Sequence, residues 1–196
     1  STAQDEANAQ SAIRLYKNKS NYVIALSELL GFVSIEKSCK LLSEISEYAI
    51  QQTLSFIFQQ EAVKSIEDCG LAILAMGKLG SKELNYSSDL DLIFLHKSDT
   101  NNSSQKFIEI SKKLIFMLST PSKDGNGWRI DMRLRPNPSS TSVSLDVNTA
   151  VIYYESIARS WERAAFIRAR PIAGDTKLAK DFLSKIEPFI WRGTLD

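Results

Sequence analysis

Leu71-Ala-Ile-Leu-Ala-Met76 is an unbroken apolar run that stops at Gly77. A strand sends alternate side chains to opposite faces, so a short run that is apolar throughout reads as a fully buried strand. Leu90-Asp-Leu-Ile-Phe-Leu95 reads as a second strand, and Trp128 to Arg135 as a third. In that third segment Ile130, Met132 and Leu134 are predicted to face one way, with Arg129, Asp131, Arg133 and Arg135 facing the other. Pro136 and Pro138 end it. Helical periodicity flanks these strands. Residues 1–68 carry almost no Gly or Pro, and Ile24, Ser27 and Leu30, then Leu41, Leu42, Ile45, Tyr48 and Ala49, recur at helical spacing. Gly31 is placed as the stop between two helices, and a third is predicted from about Leu54 to Ile66, with Phe58, Ala62 and Ile66 inward. Ser103 to Ser119 predicts another helix, Pro121 to Gly127 a turn-rich loop, and residues 139–145 a Ser/Thr loop. Helical patterns resume from about Asn148 to Arg159 and run on to Arg168, stopped by Pro171, and Asp175 is the expected N-cap of a last helix. Strands gathered in the middle between helices predict an α+β or α/β layer architecture.

Composition narrows the chemistry. The 196 residues leave room for one ordinary domain, with or without a short appendage. Lys+Arg of 24 against Asp+Glu of 23 leaves +1, which removes any global argument for nucleic acid or an anionic membrane as partner. The longest apolar run, six residues, is far short of the ~20 that span a bilayer, and the polar, acidic start predicts no signal peptide. A single histidine, His96, excludes a paired-histidine zinc site within the chain. It reads as a structural residue, and no GxSxG elbow exists to make a triad with it. Cys39 and Cys69 lie far apart without ligand spacing and read as packing thiols of a reducing, cytoplasmic setting. Trp161 is expected in the core. Carboxylates and arginines are what remain, and they point to metal-assisted phosphate chemistry.

Three features fit such chemistry. Asp89 and Asp91, two apart at the start of the second strand, fall on one face about 7 Å apart at the backbone. They can share a divalent cation or merely solvate a strand end, and Mg²⁺ is the natural candidate. Gly77-Lys78-Leu79-Gly80-Ser81 leaves a buried strand through two glycines. It lets backbone N–H groups approach a phosphate, with Lys78 as a point charge, or it is simply a tight strand-to-helix turn. It lacks the P-loop spacing. Asp131 sits in a row of arginines, either as a third metal ligand or base with arginines binding phosphate, or as part of a solvent-facing ladder of ion pairs.

The order Gly80-Ser81, Asp89-x-Asp91, Asp131 resembles the nucleotidyltransferase superfamily. More closely, Met76 to Asn85, Ser87 to Phe94, Asp131 to Pro136 and Trp161 to Arg170 resemble the glutamine synthetase adenylyltransferase family, over about two thirds of the chain from Leu71 to Asp196. That resemblance implies an α+β fold with a small mixed β-sheet backed by helices. Residues 1–68 would be an N-terminal helical segment on the catalytic core, 69–145 the core sheet, and 146–196 C-terminal helices of the same domain. It implies Asp89, Asp91 and Asp131 as catalytic Mg²⁺ or Mn²⁺ ligands. Gly80, Ser81, Lys78, Ser88, Arg133 and Arg135 would bind the nucleotide.

The family joins two similar halves, one attaching AMP to a tyrosine of glutamine synthetase and one removing it. Trp161-Glu162-Arg163 is similar to the N-terminal, removing half, where the other tends to have His after Trp-Glu; Tyr153-Tyr154 and Arg168-Ala-Arg-Pro171 lean the same way. The implied reaction is phosphorolysis of tyrosyl-AMP, with inorganic phosphate in and ADP out, in cytoplasmic nitrogen regulation. Glutamine synthetase is then the protein substrate, ATP, ADP and phosphate the small ligands, and a PII signalling protein a partner, without nucleic acid or membrane. The competing readings are the ATP-using, attaching half, and a catalytically silent module that binds glutamine synthetase or PII. Family members continue past the point where this sequence stops, so an excised piece of a multifunctional enzyme is expected.

Overall fold

The computed structural model describes residues 2–61, 69–97 and 103–191. Two long helices come first, α1 (Thr2–Leu29) and α2 (Ile35–Gln60). Gly31 closes α1 in the left-handed region at φ 75°, with its own N–H on Glu28 O and that of Phe32 on Ser27 O, the paired bonds of a Schellman stop. Ser34 then caps α2 by accepting from the Lys37 N–H. α2 continues unbroken through Leu54 and Phe58, so these residues belong to one helix rather than to a separate third one. Their three- and four-residue spacing simply prolongs the stripe of Leu42, Ala49 and Ile50. Ala62 and Ile66 lie outside the described residues.

The remaining elements are β1 (Leu71–Ala75), α3 (Gly77–Gly80), β2 (Leu90–His96), α4 (Ser103–Ser119), β3 (Ile130–Asp131), β4 (Ser144–Asp146), α5 (Val147–Ser156), α6 (Ser160–Phe166), β5 (Arg170–Gly174) and α7 (Thr176–Ile190). Five strands make one mixed sheet among the described residues. β1 lies antiparallel between β2 and β5, and β2 pairs in parallel with β3 and β4 along its other edge. The period of two explains the continuous apolar runs. Leu71, Ile73, Leu90, Leu92 and Phe94 face α1, α2 and α4, whereas Ala72, Leu74, Ile93 and Leu95 face α5, α6 and α7. The fold is thus α+β, a small mixed sheet between two helical layers, as expected.

Three local expectations need correction. The strand predicted over 128–135 pairs only at Ile130 and Asp131. The Asp131 carboxylate accepts the Arg133 backbone N–H at 2.8 Å, an Asx turn that bends the chain off the sheet. Ile130 and Met132 therefore pack toward the α1/α2 side while Leu134 crosses to the α5/α7 side. Ser144 and Leu145, expected at the end of a loop, pair with β2, as does Asp146. Residues 170–174, expected to follow a helix, form the outer strand beside β1. Pro171 is tolerated there because β5 is an edge strand with an irregular register opposite Ile73 and Leu74. Asp175 caps α7 by accepting from Leu178 N–H, as its position predicts.

Candidate active site

Parallel pairing of β2 with β3 sets Asp91 directly opposite Asp131. Asp91 shares the parity of Ile93 and Leu95, and Asp131 is opposite in parity to Ile130 and Met132, so both acids lie on the α5/α7 face. Asp89 precedes β2 by one residue. Burial pushes the Asp91 carboxyl above its ordinary value, and the neighbouring charges of Asp131 and then Asp89 push it further, with Arg133 opposing. Asp131 moves the other way, held below the usual range chiefly by hydrogen bonds from the Arg133 guanidinium, which outweigh its own burial. The three acids are thus electrostatically coupled, with Asp91 the group that most lacks positive charge.

Two arginines already answer the other acids. Arg129 Nε stands 2.5 Å from Asp89 Oδ1. Arg133 folds back on Asp131, with Nε 2.8 Å and Nη2 2.5 Å from Oδ2. As arranged, no three acidic, histidine or cysteine side chains among the described residues converge closely enough to hold one ion. The donor set nonetheless suits a hard cation: three aspartates, no thiolate or imidazole, and a half-buried carboxylate raised by burial and then by its like-charged neighbours.

The turn after β1 adjoins this cluster. Met76 N–H donates to Asp91 O at 2.9 Å, and Gly77 takes φ 51°. A Cβ at Gly77 would stand 2.6 Å from Asp91 Oδ2, so glycine is what lets the carboxylate lie against the backbone. Gly77 already belonged to the two-glycine turn read from the sequence; the contact with Asp91 is what the tertiary structure adds. Gly80 is buried, its N–H bonds Met76 O, and a Cβ there would stand 1.9 Å from Arg168 O. It supplies close backbone packing rather than a free N–H. Ser81 Oγ donates to Glu83 Oε2 at 2.9 Å and lies 3.5 Å from Arg168 Nη1. Lys78 is exposed on the same turn.

The other expected ligand-binding residues serve their own loops. Ser88 Oγ accepts from Asn85 N–H and donates to Asn85 Oδ1, closing the turn before β2. Arg135 donates to Met132 O and Pro138 O, beyond the Asx turn and off the strand face on which it was predicted. Arg170, beside Arg168, is a clamp: it pairs with Glu47 of α2 and donates to Leu79 O and Gly80 O. Glu162 is buried, accepting from Tyr153 OH at 3.0 Å and Arg159 N–H at 2.8 Å, so it caps α6. Trp161, expected inside, is 54% exposed, because the inward turn of α6 is taken by Glu162 and Phe166. His96 is structural, buried on Phe107 with Nδ1 2.8 Å from Ser144 Oγ, and burial pushes its pKa down. Cys39 and Cys69 are half-buried free thiols. A cleft of about 490 Å³, lined by Lys17, Ser46, Leu84, Ser88, Trp128 and Arg129 among others, opens on the α1/α2 side of the Asp89–Arg129 pair.

A small mixed sheet with an Asp-x-Asp pair at the start of one strand, a third aspartate parallel beside it and a Gly-Ser turn against them is a nucleotidyltransferase-like α+β fold. The sequence profile of glutamate-ammonia ligase adenylyltransferase matches residues 1–185, and the chain belongs to that family. The match takes in the helical first third, which the motifs left aside. Among its relatives, the bifunctional glutamine synthetase adenylyltransferase/adenylyl-removing enzyme of Bartonella henselae is 38% identical over 97% of this chain. Those of Rhodopseudomonas palustris strain HaA2 and Xanthobacter autotrophicus are 38% and 35% identical, over 100% and 97% of it. The chain spans 21% of the length of each of these three relatives. No helix among the described residues is long and apolar enough to cross a membrane.

Proposed function

We propose that this chain is a nucleotidyltransferase domain that removes AMP from adenylylated glutamine synthetase by metal-dependent phosphorolysis. The observation that carries the reading is the register that sets Asp91 opposite Asp131 with Asp89 two residues away. Asp89, Asp91 and Asp131 would hold Mg²⁺ or Mn²⁺, which supplies charge neutralisation at the phosphorus when bound. The chain's own part is positioning and electrostatics. Arg129 and Arg133 are tethered to two of the aspartates, and their side chains stay 72% and 85% exposed, within reach of phosphate oxygens. Ser81 and Lys78 on the α3 turn flank the same acids through Gly77. In the reaction an oxygen of inorganic phosphate forms a bond to the tyrosyl-AMP phosphorus. The bond to the tyrosine oxygen breaks, ADP leaves and the phenol regains its proton. Attack by one anion on another needs several cations aligned before the chemistry, and this arginine-rich rim meets that need.

Removal rather than attachment is supported by the Trp161-Glu162-Arg163 resemblance; the names of the relatives carry both activities. The test incubates the chain with adenylylated and with unmodified glutamine synthetase, in phosphate or in ATP. Phosphate-dependent ADP release from the adenylylated form is the expected result. ATP-dependent labelling of the unmodified form, with pyrophosphate release and no phosphorolysis, would assign the attaching reaction instead.

A further inference from the structure

Asp131 has little sheet to hold it. β3 pairs with β2 only at Ile130 and Asp131, and after the Asx turn the chain runs free of the ladder until β4 begins at Ser144. That excursion closes on itself around Asn137, which takes the left-handed region at φ 42°. Ser140 N–H and Thr141 N–H both bond Asn137 O, Thr141 Oγ1 donates to Pro136 O at 2.6 Å, and Arg135 joins Met132 O to Pro138 O. These internal bonds fix the shape of the loop but not where it stands against the sheet.

α5 supplies two contacts that do. Tyr154, buried against Phe166, reaches Leu134 O with its hydroxyl at 3.5 Å. Tyr153 holds the Asn137 end: the Asn137 N–H approaches its phenol oxygen, and its own O–H donates to Glu162 Oε1 at 3.0 Å. Glu162 is 3% exposed, and its second oxygen accepts the Arg159 N–H at 2.8 Å. Capping α6 takes one of those oxygens, and the other is committed to Tyr153. A buried carboxylate is costly to keep ionised, but its hydrogen bonds are shorter and stronger than those of a neutral acceptor. Glu162 therefore fixes the phenol, the phenol fixes the Asn137 turn, and the loop carries Asp131 and Arg133 at its open end. We propose that Glu162 is a positioning residue, which acts through Tyr153 and the Asn137 turn to hold Asp131 and Arg133 opposite Asp91. The assignment rests on the nucleotidyl-transfer reading above, and gives Glu162 a part in it without contact with the reacting atoms.

The experiment compares the wild-type chain with Tyr153→Phe, Glu162→Gln, Glu162→Ala and the double variant Tyr153→Phe/Glu162→Ala. Amide hydrogen exchange is followed by NMR, and phosphate-dependent ADP release is measured on the same proteins. Tyr153→Phe keeps the ring and leaves the Glu162 cap of α6 in place, so a merely structural role predicts no change in turnover. Positioning predicts that exchange of the Arg133 and Asn137 N–H groups rises about tenfold, while that of Phe166 within α6 stays constant. kcat falls about tenfold, as a shift of about half an ångström in the site requires, with KM for adenylylated glutamine synthetase unchanged. Glu162→Gln is expected to retain wild-type behaviour, because its amide oxygen accepts the Arg159 N–H while its NH₂ donates to the phenol oxygen. The double variant is expected to lose no more turnover than Glu162→Ala alone, as residues acting in one chain do. Should Glu162→Ala not fold, Tyr153→Phe and Glu162→Gln decide alone. Wild-type exchange at Arg133 or wild-type kcat in Tyr153→Phe, or losses that multiply in the double variant, overturns the proposal. Exchange that rises as described in a chain that releases no ADP keeps the positioning and rejects phosphorolysis.

Discussion

Gly77→Ala separates backbone strain from damage to the site, because Gly31 provides a matched control. Both glycines occupy the left-handed region, at φ 51° and φ 75°. A side chain in that region costs an L-residue about 1–2 kcal/mol. At Gly31 nothing lies within 4 Å of an added Cβ, so that strain is the whole effect. At Gly77 the Cβ would stand 2.6 Å from Asp91 Oδ2 and 3.4 Å from its Cγ, so the carboxylate must retreat. The retreat required for ordinary contact is about 0.5–1 Å, and a misplacement of ~1 Å in a catalytic constellation costs about 10²-fold in rate. Urea denaturation is therefore expected to show losses of about 1–2 kcal/mol for both variants. Phosphate-dependent ADP release should fall about 100-fold in Gly77→Ala and stay at the wild-type level in Gly31→Ala. Wild-type turnover in Gly77→Ala, with the strain visible in its denaturation curve, would refute the role given to the Asp91 contact.

Asp91→Asn should abolish turnover while raising stability at neutral pH by up to about 1 kcal/mol. The sign follows from a folded-state pKa raised above the unfolded one. The charged carboxylate is a penalty that is full above the folded pKa and fades as pH falls toward the unfolded value of about 3.9. Denaturation midpoints of the variant and wild type should therefore converge in acid, and a gap that widens there would contradict it. Arg170→Ala should cost about 2–4 kcal/mol, since it strands a nearly buried Glu47 carboxylate and two carbonyls of the α3 turn. A loss below about 0.5 kcal/mol by the same measurement would show that the clamp is not structural.

The apolar run from Leu71 to Met76 was legible as a strand because full burial writes itself into every residue, and Leu41 to Phe58 was legible as helical by its stripe, though the stripe did not show that it runs unbroken as one helix. β4 and β5 were not legible. Three residues are too few to show a period, and β5 begins Arg-Pro, which reads locally as a helix stop. The end of β3 was misjudged for a different reason. Alternation over 128–135 is genuine in the sequence, but a single side chain-to-backbone bond from Asp131 competes with the ladder and wins once pairing partners run out.

The candidate site divides in the same way. Asp89, Asp91, Asp131 and the Gly-Ser turn could be named from residue type and spacing, since two carboxylates two apart on a strand share a face whatever surrounds them. Which acid lies beside which was decided only by the parallel register of β2 and β3, a pairing of residues forty apart in the chain. Tertiary structure alone also turned Arg133 onto Asp131, removed Arg135 to its own loop and brought Arg168 to Ser81 and Glu83. Local sequence determines the faces and ends of elements because those depend on near neighbours. The partners of a long, flexible, charged side chain depend on which elements the packed sheet and helices bring within its reach.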